Sequence, residues 1–140
     1  MNRRSPQMNK VKQRLQNGFT LIEVLIVVVI IGILVAIAVP TYTGYVRKGY
    51  ASDAKVSIKA ILNASSVYTQ TTGLVPTDVD ALETDGYLEL DPAIKRKWQF
   101  DISETEITAT SLAEMEGGEG NSITYYIEEG KYRGYGQKEE

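Results

Sequence analysis

Apolar side chains run almost unbroken from Phe19 to Val39, FTLIEVLIVVVIIGILVAIAV, and one ionisable group, Glu23, interrupts them. A helix over these residues extends roughly 30 Å, enough for a bilayer core. The period of the pattern then changes twice. Ala54, Ile58, Ile61, Leu62, Ser65 and Tyr68 recur at helical spacing, which predicts that the helix resumes to Thr72, offers one face to a sheet and stops at Gly73. Residues 98–102, 107–110 and 123–127 alternate with period two, with a possible fourth segment at 132–135, and the short turns between them imply an antiparallel sheet. Trp98, Phe100, Ile102, Ile107, Ile123, Tyr125 and Ile127 are the expected partners of the helix face. The predicted fold class is α+β: a long N-terminal helix packed on a small antiparallel sheet of three or four strands.

The joints between these elements carry their own signals. Pro40 removes a helix donor, so a kink is expected between Ala36 and Pro40, and Gly32 is a second weak point. Residues 73–92 turn irregular, with one short helix capped by Thr77, with Asp80 three residues on, Ala81 and Leu82 facing inward, and Asp85-Gly86 ending it. Lys95-Arg96-Lys97 is expected as a solvated turn. The loop 114–121, EMEGGEGN, is expected as a mobile acidic hairpin turn, since its spacing fits no defined calcium loop. Tyr42, Tyr45 and Tyr50 follow the apolar run and suit an interfacial aromatic belt with subunit packing; electron transport through stacked rings is the weaker reading. Asn63-Ala64-Ser65 matches a glycosylation sequon, and chance explains it better on a helix.

Charge sets the orientation of the apolar run. Arg3, Arg4, Lys10, Lys12 and Arg14 precede it with no acidic residue, and the first charges beyond it are Arg47 and Lys48, so the N-terminus is expected in the cytoplasm with the remainder exported. An ordinary secretory signal carries a small-residue cut site after its apolar core, yet Ala36-Ile37-Ala38 runs straight into Val39-Pro40. The cut is therefore expected before the core, after Gly18, whose missing Cβ allows close approach by a protease. Met8 offers an alternative start to Met1.

Removing residues 1–18 discards the five leader cations and leaves ten Lys and Arg against 18 Asp and Glu, an acidic balance that argues against binding nucleic acid through its phosphates. The chain has no Cys and no His, no G-x-S-x-G and no phosphate-binding glycine loop, so catalysis finds no foothold and neither a cofactor nor a metal is expected. Without a disulfide, a small head relies on packing against the helix, a metal or neighbouring subunits.

Glu23 poses the sharpest question, because a carboxylate at the centre of a spanning helix costs about 2.5–3.5 kcal/mol. One reading leaves it in the headgroup zone or protonated. The other pairs it with the amine that cleavage would create on Phe19, on a neighbouring copy shifted along the axis.

The residues 18–42, GFTLIEVLIVVVIIGILVAIAVPTY, resemble the prepilin N-terminus of the type IV pilin superfamily, which includes pilus subunits and the pseudopilins of type II secretion. The resemblance is strong over residues 18–42, fair along the following helix and architectural beyond. It implies that a prepilin peptidase cleaves between Gly18 and Phe19 and methylates the Phe19 amine, that Glu23 guides docking into a helical filament, and that the segment between Gly32 and Pro40 can lose helicity there. It also implies an inner-membrane platform protein and an assembly ATPase as partners. The expected organisation is a leader (1–18), a membrane and polymerisation helix (19–39), its amphipathic continuation (40–72) and a head (73–140). A pilus-like filament subunit is the first functional reading. A secretion pseudopilin is the second, with Val75-Pro76-Thr77, Ala81-Leu82 and Gly86-Tyr87-Leu88 reminiscent of the secretion type; an uncleaved bitopic protein with a ligand-binding head is the third.

Overall fold

The computed structural model describes residues 18–137; the basic leader expected over residues 1–18 lies outside them except for Gly18. Helix α1, Leu21–Thr72, is followed by α2, Val79–Thr84, α3, Pro92–Lys97, and four strands: β1, Trp98–Ile102, β2, Glu106–Ser111, β3, Ser122–Tyr126, and β4, Lys131–Gly134. The chain divides into two compact units at Pro40/Thr41.

In the first unit, α1 buries nothing. Val24 to Val39 leave about half or more of each large side chain exposed around the whole circumference, which suits a helix whose partners lie outside the chain. This stretch is long and apolar enough to cross a bilayer. Helical structure persists through Gly32 and Pro40.

The second unit has its own core. The strands form a meander in the order β1-β2-β3-β4, each pair antiparallel. Trp98 stands opposite Ser111, Ile107 opposite Tyr125, and Ile123 opposite Gly134. Ala51, Ala54, Ile58, Ile61 and Ala64 on α1 are buried with Trp98, Ile107, Ala109 and Ile123 of the sheet in one cluster. Their spacing keeps one helical stripe facing inward, and the alanines let the sheet come close. Phe100, Ile102, Tyr125 and Ile127 pack against this cluster half-buried, so the expected sheet partners are all present. Gly73, with φ at 74°, ends α1 in the left-handed region that glycine enters without penalty. Gly136, with φ at 70°, meets the α1 backbone at Arg47, and a Cβ there would stand 2.7 Å from Ala51 Cβ.

Four local expectations are corrected. The cap of α2 is Asp78, not Thr77: its carboxylate accepts from Ala81 N at 2.6 Å, while the Thr77 hydroxyl donates to Asp78 at 3.3 Å. Val79 and Leu82, more than Ala81, form its buried face. Lys95-Arg96-Lys97 closes the short helix α3 instead of forming a turn, and each cation meets a carboxylate: Glu83 at 2.5 Å, Glu114 at 3.6 Å and Glu116 at 2.7 Å. The 114–121 segment is pinned. Met115 is buried, the Ser111 hydroxyl donates to Gly118 O at 2.6 Å, and Asn121 N donates back to that hydroxyl at 2.8 Å. Tyr50 packs against the core, whereas Tyr42 and Tyr45 stay exposed as a belt requires.

Candidate assembly site at the helix N-terminus

The first turn of a helix leaves backbone N–H groups without partners, and Thr20 and Glu23 satisfy them reciprocally. Thr20 N donates to Glu23 Oε2 at 2.7 Å, the Thr20 hydroxyl donates to the same oxygen at 2.9 Å, and Glu23 N approaches the Thr20 hydroxyl at 3.3 Å. Backbone bonds from Glu23 N and Val24 N to Thr20 O close the turn. This is a capping box, with Thr20 as N-cap and Glu23 at the third helical position. The carboxylate also lies where the helix macrodipole is positive.

The box fixes one face of Glu23. Oε2 holds both Thr20 contacts, and Oε1 makes no hydrogen bond among the described residues. A cation arriving from outside the chain meets an oriented acceptor whose rotamer is already set.

Gly18, Phe19 and Thr20 are exposed and non-helical, and Phe19 is 88% exposed. The Gly18–Phe19 bond therefore lies in exposed, non-helical backbone just ahead of the helix. Glu23 stands in the first turn of the same segment, while Gly32 and Pro40 lie farther along α1. Thr20 is the member that sequence reasoning missed, although Thr20-Leu21-Ile22-Glu23 is a capping-box signature in plain view. Among the described residues no cluster of three His, Cys, Asp or Glu is placed to hold a metal.

A capped, lipid-compatible helix with one oriented carboxylate, continued into a helix-on-sheet unit, defines a pilin-like α+β protein. Comparison with known proteins gives the same class. Residues 13–39 match the family described as "Prokaryotic N-terminal methylation motif". The chain is 42% identical over 72 residues to the type II secretion system core protein G of Vibrio cholerae, covering 51% of this chain and 49% of the relative. It is 34% identical over 98 residues to the type IV major pilin protein PilE of Neisseria gonorrhoeae, covering 69% of this chain and 56% of that one. The fimbrial protein EcpC of Eikenella corrodens is 44% identical over 66 residues, 47% of this chain and 43% of EcpC. The chain thus spans about half the length of the curated relatives it matches. The resemblance to the type IV pilin superfamily read from residues 18–42 is shown by these matches, and the motif with its apolar helix fits a membrane-anchored protein.

Proposed function

We propose that this chain is the structural subunit of a type IV pilus-like filament. A prepilin peptidase cuts between Gly18 and Phe19 and methylates the new Phe19 amine; residues 19–39 then leave the inner membrane to form the filament core. An inner-membrane platform protein and an assembly ATPase drive that transfer. The N-terminus faces the cytoplasm before processing, and the head faces the periplasm or the cell surface.

The observation that carries this reading is the Thr20–Glu23 box. Burying a carboxylate among apolar helices is costly unless it is paired, and Oε1 is oriented to take a neighbour's Phe19 amine while Oε2 remains satisfied within the chain. Subunits lacking that pair would bring an unpaired charge into the core. The slack between Gly32 and Pro40 is the place where such a helix yields under tension.

A second reading, a major-type pseudopilin of a type II secretion system, is supported by the similarity to core protein G, which is as high as that to the pilins. Both readings make the chain a polymerising subunit and differ in where the fibre ends. A bitopic protein with an uncut leader and a ligand-binding head lacks such support.

The variant Glu23→Ala tests the assembly role. It is expected to insert into membranes and to be cleaved normally, while filament yield in the sheared fraction falls about a hundredfold or more, because removing one partner of a buried ion pair costs about 3–5 kcal/mol. Filaments at wild-type yield from Glu23→Ala would end this assignment.

A further inference from the structure

The charges of the second unit are sorted by side. Lys95, Arg96 and Lys97 on α3 are matched to Glu83, Glu114 and Glu116, and Lys131 and Arg133 on β4 are engaged within the chain. Arg47, Lys48, Lys55 and Lys59, all on α1, form no ion pair among the described residues. Lys48, Lys55 and Lys59 recur at intervals of seven and four, which draws them into one stripe along the helix. Rings orient two of them without cancelling their charge: the Lys48 ammonium lies 5.7 Å from the centre of the Tyr45 ring, and the Lys55 ammonium 4.9 Å from that of Tyr132. Lys59 is exposed and meets neither ring nor carboxylate among the described residues. Tyr132 belongs to β4, so the stripe lies on the β4 side of the unit.

The opposite side is acidic. β1 forms the other edge of the meander, and beside it runs a groove of about 360 Å³, walled by Val79, Trp98 and Phe100 and rimmed by Asp78, Asp80 and Asp101. All three carboxylates are exposed. Asp78 is committed to the α2 cap, whereas Asp80 and Asp101 make no hydrogen bond or ion pair among the described residues. Lys95, the cation on this groove, is bonded to Glu83. Three strand spacings, about 14 Å, separate the two edges of the sheet, so the α1 stripe and the groove lie too far apart to pair within one copy.

We propose that the α1 stripe of one copy docks on the β1–α2 groove of a second copy, with Lys55 and Lys59 facing Asp80 and Asp101. Each surface supplies what the other lacks: the stripe holds cations without carboxylates, and the groove holds carboxylates without a free cation. Lysine also suits the groove by shape, because its four-carbon stem lies on Val79 and Phe100 while its ammonium reaches the rim. Stripe against stripe would bring cations together, and groove against groove would bring carboxylates together. A second copy is favoured over nucleic acid or an anionic lipid surface by the rest of the chain, whose carboxylates outnumber its cations beyond the leader and repel a polyanion. The contact is heterologous, so it propagates instead of closing into a dimer.

This rests on the filament reading and adds a contact between heads, so it is tested apart from Glu23. A water-soluble carbodiimide joins a lysine amine to a touching carboxylate as an amide, and the reagent takes up the water that is lost. Treated membranes and sheared filaments of the unaltered chain are expected to give dimers, trimers and higher species, whose linked peptides join Lys55 or Lys59 to Asp80 or Asp101. Lys55→Arg/Lys59→Arg keeps the charge and removes the amine, so filaments persist and those links disappear. Lys55→Glu/Lys59→Glu is expected to lower filament yield about tenfold, and adding Asp80→Lys/Asp101→Lys restores it. A folding defect in α1 would not be repaired from α2 and β1. Filaments whose links run to other carboxylates, or that show no links, overturn this contact and leave the Glu23 account standing. Failure of the charge exchange to restore yield overturns it as well. So does Lys55→Glu/Lys59→Glu protein that assembles normally and loses binding to duplex DNA or to vesicles of anionic phospholipid.

Discussion

The two units of this chain solve opposite problems. Thr41 to the C-terminus buries its own core, with Ile58, Ile61, Leu82, Trp98, Ile107 and Ile123 all at 2% exposure or less. Residues 18–40 bury none of their large apolar side chains. Each such side chain is worth about 1.5–3 kcal/mol when removed from water, and over residues 18–40 none of that energy is gained within the described residues. The unit from Thr41 onward holds a core of its own, whereas the helix up to Pro40 leaves its apolar surface to partners outside the described residues. One carboxylate stands among these apolar residues, and any apolar surrounding that leaves it unpaired is costly.

This contrast is open to direct attack. Trp98→Ala removes the largest fully buried side chain of the head and is expected to cost about 3–5 kcal/mol in denaturant titration of the detergent-solubilised chain, whereas Val28→Ala should leave the same transition within about 0.5 kcal/mol. Equal losses from both would show that the two units fold as one. Ser111→Ala strips the hydroxyl that serves both Gly118 O and Asn121 N, and a loss of about 2 kcal/mol is expected, with faster amide exchange confined to residues 112–121. Asp78→Ala removes the α2 cap for about 1 kcal/mol, and Thr77→Ala should be nearly silent by the same thermal measurement.

The smallest effect concerns the ion pairs that tie α3 to Glu83 and to the β2–β3 loop. Hydrogen bonds from Lys95 and Lys97 hold the carboxyls of Glu83 and Glu116 below the usual 4.5, and the reciprocal bonds hold both ammonium groups above the usual 10.5. A depressed carboxylate contributes stability that is full above its unfolded value and is lost as the pH falls through its folded value. A raised lysine contributes stability that is full below 10.5 and is lost as the pH rises through its folded value. Melting temperature should therefore be flat between these limits and fall slightly below pH 4.5, and Lys97→Met should flatten part of that acid limb. An acid limb unchanged in Lys97→Met and Lys95→Met alike would remove these pairs from the stability of the head.

Much of the fold was legible because long patterns repeat. The limits of β1 and the end of α1 at Thr72 follow from a period of two and from Gly73, and the structure has them at those residues. Single-residue decisions were less legible. Thr77 and Asp78 are adjacent and both able to cap, and only the reach of Asp78 to Ala81 N decides between them. Met115 is one apolar residue among glutamates, without a period to show that it turns inward and anchors its loop. Lys95 to Lys97 resemble a solvated run until the fold brings Glu83, Glu114 and Glu116 beside them from distant positions. At the N-terminus Glu23 stood out by its isolation in the apolar run. The Thr20 contact did not, because the apolar run drew attention away from a capping signature of four residues.

The most direct test of the filament account is the mass of the N-terminal peptide, measured on protein sheared from cells and on protein left in the envelope. The account predicts a chain beginning at N-methylated Phe19, with the sheared fraction enriched for a pilus and the envelope fraction for a pseudopilus. An intact leader joined to Phe19 in both fractions would contradict it.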